Sequence, residues 1–67
     1  MDDPGVLSLL IHRLNNQLGI ILANAELLEA KATDDLQRAR AGQVVSGALD
    51  AMTTVREIRN VLPPPKP

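Results

Sequence analysis

Two stretches of nearly equal length repeat apolar residues at alternating steps of three and four, with a single break between them. In the first the series runs Leu7, Ile11, Leu14, Leu18, Ile21, Ala25, Leu28; in the second Ala41, Val44, Ala48, Ala51, Val55, Ile58, Leu62. Such steps keep one stripe of an α-helix facing one way, as at the a and d positions of a coiled coil. Val6, Leu10, Ile20 and Leu27 widen the first stripe. A broad apolar face suits a helical bundle better than a two-stranded coil.

The punctuation agrees with the periodicity. Asp3 followed by Pro4 reads as an N-cap and a proline at the first helical position, where a missing N–H costs nothing. Lys31-Ala32-Thr33 interrupts the pattern, and Asp34 with Gln37 three residues on has the form of a capping box. Pro63 closes the second stretch, because the residue before a proline is pushed out of the helical region. The reading is one domain over residues 1–62, with a helix at 4–31, a turn at 32–34 and a helix at 35–62. Residues 63–67 are a proline-rich tail or linker. Each helix is roughly 40 Å long, and a short turn between equal helices makes an antiparallel hairpin.

A hairpin that touches along one stripe leaves much of these wide faces in water. The chain has 67 residues and no cysteine, so neither disulfides nor thiolate metal sites can reinforce it, and one histidine cannot hold a metal alone. Oligomerisation is the remaining remedy. The expected fold is therefore all-α: an antiparallel two-helix hairpin forming a homodimeric four-helix bundle.

Composition also removes several functions. Phe, Trp and Tyr are absent, so no aromatic platform stacks bases, and a net charge of −1 gives no footprint for nucleic acid or an anionic membrane. The first residues are acidic where a signal peptide is basic. His12 and Arg13 interrupt the best apolar run, so no membrane insertion by this segment is expected, and the bacterial cytoplasm is the expected compartment.

Chemistry is concentrated on the first helix. With Ile11 at position a, His12 falls at b, near the centre of the face opposite the a/d seam. Asn16 follows one turn on, flanked by Asn15, and then come Gly19 and Ala23. A glycine inside a helix costs about 1 kcal/mol relative to alanine, so Gly19 suggests close approach by another surface. Counting back through the turn brings Gly47 near the height of Gly19, with Ser46 and Gly42 close by. His12 thus leads a stripe of small and amide-bearing residues, a candidate docking waist. An exposed neutral imidazole offers a nucleophilic nitrogen. A solvated surface histidine of no function has the same pattern.

The run His12-Arg13-Leu14-Asn15-Asn16-Gln17-Leu18-Gly19-Ile20-Ile21-Leu22-Ala23-Asn24-Ala25-Glu26-Leu27-Leu28 resembles the H-box of sensor histidine kinases in bacterial two-component systems. The likeness is to the dimerisation and histidine-phosphotransfer domain and covers nearly the whole chain. It implies that His12 is the phosphoacceptor, taking the γ-phosphoryl group of ATP and passing it to a response-regulator receiver aspartate. It further implies that Asn16 positions water for hydrolysis of the receiver's phospho-aspartate, and that Asn15, Gly19, Ala23, Ser46 and Gly47 contact partners. The implied partners are a second copy, a receiver domain and an ATP-binding kinase domain in cis or in trans. ATP and magnesium would belong to that separate domain, this chain binding no cofactor and no metal.

Two features depart from the family. Arg13 replaces the usual acidic residue after the histidine, and arginine cannot act as a base in proteins. No glycine-rich lid or acidic adenine-binding motif is present, so the chain alone is not expected to phosphorylate itself. The alternative is a non-catalytic dimeric scaffold or regulator-binding bundle with a vestigial histidine.

Overall fold

A computed structural model describes residues 4–62 as two α-helices packed against each other in a hairpin: α1 at Pro4–Lys31 and α2 at Asp35–Val61. Among the described residues there is no strand. The second helix ends one residue before the expected bound. Its C-cap, Leu62, is extended at φ −78°, ψ 144°, the conformation a following proline imposes. The Asp3 cap and the tail at 63–67 lie outside the described residues.

The turn is tied by local chemistry. Asp34 is extended at φ −139°, ψ 166°, and its carboxylate accepts a 2.7 Å hydrogen bond from the Gln37 N–H. The Gln37 side chain reaches back past the cap residue: its Oε1 accepts from the N–H and the hydroxyl of Thr33, each at 3.3 Å. This is a capping box displaced by one residue. Arg38 joins both sides of the break, donating to the Ala32 carbonyl and to the Asp35 carboxylate at 3.2 Å each.

The hairpin seam takes up only part of the a/d stripe. On α1 it runs through Ile11, Asn15, Leu18, Leu22, Ala25, Glu29 and the following Ala32, all buried or half-buried. On α2 it runs through Ala41, Val45, Ala48, Met52 and Val55. The a positions are inside, but most of their companions come from e, one side of a, rather than from d, on the other. Leu7, Leu14, Ile21 and Leu28 at d on α1 keep 45, 41, 47 and 67% of their surface exposed, and Val44 and Ile58 at d on α2 keep 48 and 44%. The reason is breadth: an apolar arc this wide cannot be covered by one neighbouring helix.

The seam that does form is thin. The buried apolar residues are Ile11, Ala25, Ala41, Ala48 and Val55, three of them alanines. Alanine lets the helices approach closely but removes little apolar surface from water. The Asn15 Oδ1 is buried in this seam with no hydrogen-bond partner among the described residues, a destabilising arrangement.

Candidate functional site

Because the helices run in opposite directions, turning in the same sense about each from the shared seam leads to the same side of the pair. Residues with the same heptad letter therefore share a face. The d positions of both helices, Leu7, Leu14, Ile21, Leu28, Val44, the half-buried Ala51 and Ile58, with Gln37 at the turn, make one long and mostly apolar side. The b positions make the other: Gly5, His12, Gly19 and Glu26 from α1, Asp35, Gly42, Leu49 and Arg56 from α2. Asn16, Ala23 and Ser46, at f, lie on the outer edge of that second side.

This changes the expected place of His12. Since the seam is formed by a and e, His12 stands on its shoulder and not opposite it. It lies roughly 150° around α1 from the middle of the uncovered apolar arc, at about 100° per residue. His12, Asn16 and Ala23 are exposed and Gly19 is half-buried. A side chain added at Gly19 meets nothing within 4 Å, so no contact inside the hairpin requires the glycine. Arg13 is exposed on the outermost edge of α1, between the two sides and away from α2.

Other candidates separate. Asn15 is half-buried at the edge of the hairpin seam. Gly47 shares the counted height of Gly19 but falls at g, on the apolar side, also with open space beside it. Gly42 does share the His12 side, and there the Glu29 carboxylate lies 3.1 Å from where a Cβ would stand. The His12 side at this height gathers Gly19, Ala23 and Ser46, with Asn15 half-buried at the seam and Gly47 on the apolar side.

Two residues that the periodicity reading passed over belong to the His12 side. Leu49 is 49% exposed there. Arg56 is exposed and shares the b position of His12, within about one helical turn of its height. Heptad counting on the second helix, applied with the antiparallel rule, finds both.

Chemically, the side offers one imidazole, an amide one turn away, and a guanidinium from the facing helix. After His12, the next carboxylate along α1 is Glu26, roughly 20 Å further on. Glu57, the acid nearest in height on α2, occupies c, turned away from α1. Among the described residues no group of three His, Cys, Asp or Glu gathers as a metal site. The stretch Gly5–Lys31 is long and apolar enough to cross a membrane by length and composition, and little of it is covered within the hairpin. On that measure the interruption at His12 and Arg13 does not disqualify it. Comparison with family models, with curated proteins and with solved structures finds no match to this chain.

Proposed function

We propose that this hairpin is the dimerisation and histidine-phosphoacceptor module of a two-component signalling system, working in the cytoplasm. The observation that carries the reading is the division of the hairpin into two sides. One is an uncovered apolar side of the kind a second copy would bury, completing a four-helix bundle. The other presents His12 and leaves it open to solvent when the first is covered. The H-box likeness of residues 12–28 supplies the chemistry that geometry does not name.

In this reading a neutral His12 nitrogen attacks the transferred phosphorus. The bond from phosphorus to the donor oxygen breaks with its electron pair, and the ring loses a proton from the other nitrogen. The phosphoryl group then passes to a receiver carboxylate docked over Asn16, Gly19, Ala23 and Ser46. Asn16 orients water without itself becoming charged, as hydrolysis of the receiver's acyl phosphate requires. The ATP-binding domain acts in cis or in trans.

The test is labelling. With a receiver acyl phosphate, or an ATP-binding domain and ATP, His12 alone should acquire an acid-labile, base-stable phosphate. His12→Gln should abolish the label and leave the dimer intact, while Asn16→Ala should spare labelling and slow phosphate loss from the receiver. Absence of label under conditions that label a matched kinase bundle would leave the second reading, a scaffold with a vestigial histidine. Arg13, standing where the family places an acid, favours that second reading.

A further inference from the structure

We infer that Arg56, from the facing helix, is the anion anchor for a phosphoryl group carried on His12. The inference rests on the phosphoacceptor reading and adds a residue to it. Four observations carry it. Arg56 and His12 hold the same heptad position on antiparallel helices, which places them on one side of the hairpin. Their heights agree within about one turn on neighbouring helices. Both are exposed, and among the described residues Arg56 makes no ion pair, Arg38 with Asp35 being the pair formed. The charged groups described around this half of the hairpin are Arg13 on α1 and Arg56 and Arg59 on α2, against Asp50 and Glu57, both at c and turned to the outer face of α2.

The physical consequence follows from what His12 becomes. A neutral imidazole has no need of a cation beside it, whereas an N-phosphoryl group bears up to two negative charges and three acceptor oxygens. A guanidinium fork matches that geometry. Arg13 is closer in sequence but points to the outer edge of α1. Arg59 lies on the seam line toward the open end of the hairpin. Of the three, Arg56 alone shares the His12 side. The arrangement thus favours the phosphorylated state of His12 without the acid that ordinarily follows the histidine.

The full chain can be phosphorylated chemically with phosphoramidate, in which the imidazole displaces ammonia and the P–N bond is exchanged. Phosphorus NMR then follows the ionisation of the phosphoryl group. A neighbouring cation favours the dianion, so Arg56→Gln should raise the midpoint by roughly 0.2–0.7 pH units, the range of an exposed ion pair. Arg56→Lys should restore most of the shift, Glu57→Gln should raise no midpoint, and high salt should erase the difference between Arg56 and Gln. Circular dichroism should show equal helicity throughout. A midpoint unchanged in Arg56→Gln overturns the inference. Transfer from a phosphorylated receiver separates the two ideas. If neither the unaltered chain nor Arg56→Gln accepts phosphate, the phosphoacceptor reading fails; if both accept it equally, Arg56 alone is ruled out.

Discussion

The two long sides of this hairpin are built from the same helices and differ in almost every respect. The d side is a ladder of Leu7, Leu14, Ile21 and Leu28 with Val44 and Ile58, without a titratable group among them. The b side carries His12, Gly19, Gly42, Leu49 and Arg56, with Glu26 and Asp35 toward the turn, and is bordered by Asn16, Ala23 and Ser46. One side carries branched apolar side chains at every turn, the kind a permanent interface buries. The other is made for temporary contact, with small residues that let a partner come close and polar ones that tolerate water. In the proposed reading, separating the two lets assembly and chemistry proceed without competing for surface. A hairpin core of Ile11, Val55 and three alanines also makes the apolar side indispensable, because so small a core stabilises little by itself.

The largest effect is expected from a charge on the apolar side. Ile21→Asp should abolish self-association and much of the helicity, since an unpaired buried charge costs several kcal/mol. Sedimentation with circular dichroism at micromolar concentration measures both. A chain that sediments as a well-folded monomer before and after the change would show that the apolar side needs no partner.

On the b side, Gly19→Trp should eliminate receiver binding in a titration and leave helicity and association intact, because a side chain there meets open space. Unchanged receiver affinity would remove docking from that side. Gly47→Trp sharpens the contrast: on the apolar side it should disturb association first.

Between the two sides, the seam itself can be improved. Asn15→Leu should stabilise the hairpin by about 1–2 kcal/mol in thermal unfolding, because it replaces a buried, unpartnered carbonyl with apolar surface. A loss of stability would mean that the Asn15 amide has a partner that the seam geometry does not reveal.

The smallest effects come from the glycines. Gly19→Ala should gain about 0.5–1 kcal/mol from helix propensity alone. Gly42→Ala should gain less, because the Glu29 carboxylate must give way. Equal gains at both positions would place Glu29 away from α2 in solution.

The hairpin was legible because helix signals are local. The 3–4 repeat, the Asp34 cap, the interruption at 32–34 and the proline after Leu62 each act over a few residues, and neighbours in sequence suffice to read them. Exposure of His12 was legible for the same reason, since b is polar-facing under either choice of seam. The seam was not. Periodicity marks an apolar arc and does not divide it among neighbours: the hairpin itself covers Ile11, Leu18, Ala25, Ala41, Ala48 and Val55 and leaves Leu14, Ile21, Leu28, Val44 and Ile58 exposed.

From that single shift in the seam follow the consequences that only the tertiary structure decides. Asn15 becomes a seam residue, Gly47 changes sides, and Leu49 and Arg56 join His12. The sequence by itself determines which residues are helical and which are apolar, because those properties belong to the chain. Which way each helix turns its apolar arc depends on the other helix, through how closely small residues such as Ala25, Ala41 and Ala48 let the two approach. That is a property of the pair, and it sets which residues share a side with the histidine.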